Sequence, residues 1–250
     1  MTGDLLSLRA MVASREGGLC DLFRRAASIS ALPTEIVDCS AGVNVAALPA
    51  GVADLCYLDA ALSREQVSRL VADLRGGARP PFIALLATGG AMPAFEVDGL
   101  AGKPSCLEEA KWLLDRSSRV RLTSRVLVVD DSATMRSIVR KALMATRFAF
   151  EIGEAADGAD ALRRVRDGHF DVIFMDQNMP DMTGLECLTK IKQLKPDITA
   201  IVMTSLQNEA LAASTRALGA AFLKKPFFPA DIETALCGFY GLHALNPRRI

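Results

Sequence analysis

From residue 125 onward, short apolar runs of β type alternate with stretches in which apolar positions recur at helical spacing. The pattern predicts strands over 125–130, 149–154, 171–176, 199–204 and 220–224, and helices over 133–146, 158–167, 184–194, 208–218 and 230–240. "DVIFM" and "TAIVM" are unbroken apolar runs, as expected of strands covered on both faces. Strand and helix alternating five times specify an α/β fold, a doubly wound parallel sheet with helices on both sides. In such sheets ligands bind beyond the carboxyl ends of the strands, where the strand order reverses. The chemistry is therefore sought just after each strand.

Those positions hold Asp130 and Asp131 after the first strand, Asp176 after the third, Thr204 after the fourth and Lys225 after the fifth. Carboxylates gathered in one crevice are driven toward protonation unless a cation stabilises them. Mg²⁺ suits the set, because it accepts a few carboxylate oxygens and keeps some water. Lys225 adds a point positive charge and Thr204 a hydroxyl donor. Such a place can receive a phosphoryl group, with Asp176 as the nucleophile that becomes an acyl phosphate. Taken singly, each residue has an ordinary explanation: Asp131 and Thr204 as helix caps, Asp176 as a turn residue, Lys225 as a solvated lysine. Their joint placement at one rim favours the functional reading.

"VLVVDDSATMR", "DVIFMDQNMPDMTGLE", "AIVMTS" and "AAFLKKPF", in that order and spacing, resemble the receiver domain of two-component response regulators, most closely the chemotaxis type. The resemblance covers residues 125 to about 240 and implies a flavodoxin-like five-stranded fold. It implies that Asp176 is the phosphoacceptor, and that Asp131, the Asp176 carboxylate and the Asn178 backbone carbonyl bind Mg²⁺ directly, with Asp130 binding through water. It assigns the family's lysine to Lys225, whose bond to Pro226 is usually cis in relatives, and the aromatic switch position to Phe222. By that mechanism Thr204 moves toward the phosphoryl group and Phe222 turns inward, repacking the face of the fourth helix, fifth strand and fifth helix. The implied partners are a sensor histidine kinase or histidine phosphotransfer protein upstream, and a protein target on the switch face or the first half downstream. The only implied catalysis is of the protein's own phosphorylation and dephosphorylation. A relay shuttle or phosphate sink and a phosphorylation-independent scaffold remain as alternatives. A haloacid-dehalogenase-type phosphatase fits less well, since that family places an Asp-x-Asp pattern after its first strand.

The first half reads as a degenerate copy. "DLCYLD" matches "DVIFMD", Asp59 matching Asp176; "ALLAT" ends in Thr88, which matches Thr204; Lys103-Pro104 matches Lys225-Pro226. Where the acidic pair would stand, "LRAMVAS" offers Ala13 and Ser14, so Asp59 is expected to lack a Mg²⁺ site and stay unphosphorylated. "GGAMPAFEVDG" is poor in helix formers, so a fourth helix is expected to be missing or reduced, leaving sheet surface for a partner. The expected organisation is a degenerate receiver-like domain over 1–118, a polar linker over 119–124 and a phosphoacceptor receiver over 125–250.

Bulk properties narrow the classes further. The chain has 250 residues, half of them apolar, with 29 basic and 29 acidic side chains. Balanced charge gives no bulk attraction to nucleic acid or anionic membrane, and the arginines of "DRSSRVRLTSR" have no aromatic residue among them. No apolar run approaches the roughly 20 residues that span a bilayer, and "MTGDLLSLRA" lacks signal-peptide order, so a cytoplasmic location and no membrane insertion are expected. Six cysteines without a CxxC pair are expected to be buried free thiols, and Met175, Met179 and Met182 to be packing residues. The short tail after the last predicted helix leaves no room for a DNA-binding output domain, so output is expected through protein contact.

Overall fold

Each half of the chain folds into its own five-stranded parallel sheet. The computed structural model describes residues 7–37, 53–88, 95–205 and 209–243. One compact unit runs to Arg121 and takes in the segment from Tyr240; the other runs from Leu122 to Phe239.

In the second unit the order is β6 (Ser124–Val129), α4 (Ala133–Met144), β7 (Phe150–Ala155), α5 (Gly158–Asp167), β8 (Val172–Asp176), α6 (Gly184–Leu194), β9 (Thr199–Thr204), α7 (Glu209–Ala217), β10 (Ala221–Lys224) and α8 (Pro229–Cys237). The strands lie in the order β10-β9-β8-β6-β7, all parallel. The switch point of this order falls between β6 and β8, where Asp130 and Asp176 end their strands. Val126–Val129 and Val172–Met175 are fully buried, as unbroken apolar runs require. Helix starts carry local caps: the Ser132 hydroxyl accepts from the Met135 amide, Asp157 accepts from Asp160, and Thr183 and Glu186 form a capping box. Met175 and Met179 lie in the core and Met182 packs against it. The last helix ends at Cys237, short of the expected 240, because the chain turns through Gly238 and Gly241, the latter at φ +69°.

The first unit repeats the plan with β1 (Leu8–Ala13), α1 (Gly17–Ser28), β2 (Thr34–Ile36), β3 (Leu55–Asp59), α2 (Arg64–Arg75), β4 (Phe82–Ala87), β5 (Gly99–Gly102) and α3 (Leu107–Ser117). Its order, β2-β1-β3-β4-β5, is the same permutation as that of the second sheet. No helix occurs among the described residues between β4 and β5, and 89–94 of that stretch lie outside them. The outer edge of β5 meets the chain's own return segment, where the His243 amide donates to the Leu100 carbonyl at 2.7 Å. The polar stretch after α3 is ordered as a 3-10 turn over Ser118–Arg121, and Arg121 donates to the carbonyls of Asp54 (2.8 Å) and Pro80 (2.7 Å). Cys20, Cys56, Cys187 and Cys237 are buried free thiols; Cys106 is exposed, and Cys39 lies outside the described residues. Among the described residues no helix is long and apolar enough to cross a membrane.

Candidate functional site

Asp130 and Asp176 reach one crevice because β6 and β8 are adjacent and in register, Val129 opposite Met175. Asp130, Asp131 and Asp176 each offer an oxygen within 4.8 Å of the others. The first and last are buried and Asp131 is exposed, so the cluster opens to solvent on one side. Lys225 enters from just beyond β10, and its ammonium donates to Asp130 Oδ2 and Asp176 Oδ1, both at 2.8 Å. The other Asp130 oxygen accepts from the Ser132 amide at 2.9 Å.

Burial pushes the Asp176 carboxyl above the usual carboxylate range; Lys225 opposes the rise and the Asp130 charge adds to it. Burial works against the Lys225 ammonium, yet Asp130 and Asp176 outweigh it and hold its pKa above the ordinary lysine value. One cation thus answers two buried anions, with a third acid at the rim. Hard oxygen donors gathered this closely fit a small divalent cation such as Mg²⁺.

Close packing fixes the approach to Asp176. A Cβ on Gly184, the first residue of α6, would lie 2.3 Å from the Asp176 carbonyl oxygen, so only glycine lets the helix start there. Thr204 is fully buried at the end of β9, and its carbonyl accepts from the Lys225 amide at 2.7 Å. Asn178 is exposed in the loop after Asp176. Phe222 is half-buried on β10, opposite Val202, and the Lys225–Pro226 bond is cis. Sequence reasoning missed Gly184, and it also missed Arg136, whose guanidinium donates to the Asp130 carbonyl at 2.8 Å. The arginine stood in plain view in "SATMR", but nothing in the sequence says that its side chain turns back.

The matching rim of the first unit keeps an aspartate, Asp59, and a lysine, Lys103, but differs at the other three positions, and the register corrects two equivalences. Ala13 pairs with Leu58 as Val129 pairs with Met175, so the acidic pair is replaced by Ser14 and Arg15, one residue later than Ala13 and Ser14. Asp59 pairs with Leu86 as Asp176 pairs with Met203, so Ala87, not Thr88, stands where Thr204 does. The Lys103 amide donates to the Ala87 carbonyl just as Lys225 does to Thr204. Asp59 accepts from the Ser14 hydroxyl (2.6 Å), the Ala61 amide (3.0 Å) and Lys103 Nζ (3.0 Å), and Lys103 also pairs with Glu16 at 2.8 Å. Burial raises the Asp59 carboxyl, but Ser14, Ala61 and Lys103 together outweigh it and leave it below the usual range. Three residues separate Asp59 from the helix cap Ser63, against six between Asp176 and Thr183, so the first unit's counterpart of the loop bearing Asn178 is three residues shorter, with Ala61 two residues after Asp59.

Sheet order, acidic trio and bridging lysine define a doubly wound protein with a cation-capable site at its switch point. Comparison with known proteins places it more closely. The model of the response regulator receiver domain matches residues 126–237. The chemotaxis protein CheY of Thermotoga maritima is 32% identical over 114 residues, which span 45% of this chain and 93% of that protein. The protein-glutamate methylesterase/protein-glutamine glutaminase 2 of Caulobacter vibrioides is 40% identical over 105 residues, 41% of this chain but 30% of that protein. The solved structure of Vibrio cholerae CheY4 aligns at 32% identity with a TM-score of 0.43, covering 46% of this chain and 96% of that one. The chain belongs to the response regulator receiver family, with a receiver-like unit preceding the matched one.

Proposed function

We propose that the protein is a response regulator phosphorylated on Asp176 in the presence of Mg²⁺, whose output is a protein contact and whose first unit takes no phosphate. The observation that carries this reading is the acidic trio within 4.8 Å with Lys225 bridging two of its members. Asp131, the Asp176 carboxylate and the Asn178 carbonyl would hold Mg²⁺ directly and Asp130 through water. Bound there, the ion supplies charge neutralisation for a transferring phosphoryl group.

The chain's own residues do the rest. An Asp176 oxygen attacks the phosphorus of a phosphohistidine on a sensor kinase or phosphotransfer protein, and the bond from phosphorus to the histidine nitrogen breaks. Lys225, released from Asp176 by phosphorylation of that carboxylate, pairs with a phosphoryl oxygen. The Thr204 hydroxyl donates to another, and Phe222 follows it inward from its half-buried place on β10. The acyl phosphate carries roughly −1.5 to −2 charges where the carboxylate carried −1, a net gain of about −0.5 to −1 at the crevice, enough to bias a two-state element on the face of α7, β10 and α8. The partner reads that face or the first unit. In the first unit Ser14, Arg15 and Ala87 stand at the positions of two acids and a hydroxyl, which is the ground for reading it as silent.

Fluorine NMR of beryllofluoride binding tests the proposal. The full chain with Mg²⁺ is expected to give one bound signal, lost in Asp176→Asn and kept in Asp59→Asn. A bound signal that survives Asp176→Asn sinks the reading.

A further inference from the structure

Asp130 and Asp131 sit at the turn from β6 into α4, and a turn fixes the direction of its side chains only if its backbone is held. The Asp130 amide donates to the Ala155 carbonyl at 3.3 Å and the Ser132 amide to Asp130 Oδ1 at 2.9 Å, and one arginine binds the turn's carbonyls. Arg136 Nη1 donates to the Asp130 carbonyl at 2.8 Å and lies 3.4 Å from the Asp131 carbonyl. Its Nε pairs with Glu154 Oε2 at 3.1 Å, anchoring the guanidinium to β7. The Arg136 side chain is 16% exposed, so the clamp is mostly shielded from water. Arg136 meets main-chain oxygens and Glu154, while Lys225 pairs with the carboxylates of the crevice. The guanidinium therefore holds the acidic backbone without occupying the oxygens a cation would take.

The first unit serves as an internal control. With Arg15 at the position of Asp131, the residue matching Arg136 is Cys20, a buried thiol whose Sγ lies 3.9 Å from the Val12 carbonyl. Acidic pair and clamp are lost together, which a mere helix-to-strand staple gives no reason to expect.

We propose that Arg136 is a positioning residue for the metal-binding acidic pair, with Glu154 fixing its guanidinium; this rests on the reading of Asp130, Asp131 and Asp176 as a Mg²⁺ site. Outer-shell residues of metal sites typically carry about 10- to 100-fold in metal affinity. A bare positive charge near the site would do the reverse, since its removal strengthens cation binding. The two roles differ in sign.

Isothermal titration of the full chain with Mg²⁺ decides between them, with melting temperature followed alongside. Arg136→Gln is expected to weaken Mg²⁺ about tenfold and Glu154→Gln by about threefold, with Arg136→Lys between wild type and Arg136→Gln. The double variant is expected to be no weaker than Arg136→Gln alone, because the two residues act as one unit. Tighter binding in Arg136→Gln with compensation in the double variant would show a through-space charge effect and overturn the proposal. A lowered melting temperature with unchanged Mg²⁺ affinity would overturn it in favour of a purely structural staple. Arg136→Lys keeps the positive charge but not the guanidinium's paired contacts, so weakened Mg²⁺ binding in it supports the proposal even if Arg136→Gln folds poorly, and wild-type affinity in it would overturn it. A wild-type chain whose Mg²⁺ binding is absent or indifferent to Asp131→Asn overturns the site reading itself; intact wild-type binding with indifferent Arg136 variants overturns this inference alone.

Discussion

Asp59 and Asp176 end equivalent strands of two sheets with the same order, and each receives a lysine from just beyond the fifth strand of its sheet. Around Asp176 the lysine is shared with a second buried acid and a third waits at the rim; around Asp59 a hydroxyl replaces one acid, an arginine the other, and Glu16 takes the lysine's second bond. Burial raises both carboxyls; at Asp176 the shared lysine does not offset it and the Asp130 charge adds to it, whereas at Asp59 Ser14, Ala61 and Lys103 outweigh it. The same scaffold thus holds one site with unanswered negative charge and one whose charges are already answered. Under the proposed function, the site that takes a cation and a phosphoryl group is the one the protein leaves unsatisfied, and the one satisfied locally is expected to be silent.

The largest effect expected from this contrast is on cation binding. Asp131→Asn should weaken Mg²⁺ by roughly 100-fold in calorimetric titration, whereas Asp59→Asn should leave it unchanged; equal losses would erase the distinction between the units. Next comes the tight approach at Gly184. Gly184→Ala is expected to lower stability by about 3 kcal/mol in chemical denaturation, because the new methyl meets the Asp176 carbonyl. The matching position after Ser63 already carries Arg64, and Arg64→Ala should change stability by no more than about 0.5 kcal/mol.

Stability should respond in opposite directions to removing the two charges. Asp59→Asn breaks a buried pair but leaves Lys103 with Glu16, for a loss of about 2 kcal/mol. Asp176→Asn relieves a crowded pair of acids while Lys225 keeps Asp130, for a gain of about 1 kcal/mol in metal-free buffer. Urea melts of the two variants measure both. The pH dependence carries the same opposition. With its folded pKa depressed, Asp59 contributes stability that is present above the ordinary carboxylate range and lost as pH falls below it. With its folded pKa raised, Asp176 contributes stability that is present at acid pH and lost as pH rises through its folded value. Comparing each asparagine variant with wild type from pH 3 to 7 should give difference curves of opposite slope. Ser14→Ala is expected to cost about 1 kcal/mol in the same urea melts, from loss of the hydrogen bond to Asp59.

Much of the second unit was legible because its signals are local. Continuous apolar runs bounded by acids, and stretches in which apolar positions recur at helical spacing, each fix an element from its own residues. The first unit was harder to read for a physical reason: β3 could be found from its apolar run, but its neighbours' register depends on pairing between distant segments. A one-residue slip was enough to offer Ala13 and Ser14 in place of Ser14 and Arg15, and Thr88 in place of Ala87. The Arg136 clamp and the Glu16–Lys103–Asp59 chain are made by side chains crossing between elements, which no spacing encodes. The return of Tyr240–His243 to β5 was equally invisible, since it depends on the turn through Gly241 at φ +69° and on an edge strand far away in sequence.

The most direct measurement is to incubate the full chain with acetyl phosphate and Mg²⁺, trap the acyl phosphate with borohydride, and locate the modified residue by peptide mass spectrometry. The account predicts one modification per chain, at Asp176, absent without Mg²⁺ and absent in Asp176→Asn. Modification at Asp59, or undiminished phosphate uptake by Asp176→Asn, would contradict it.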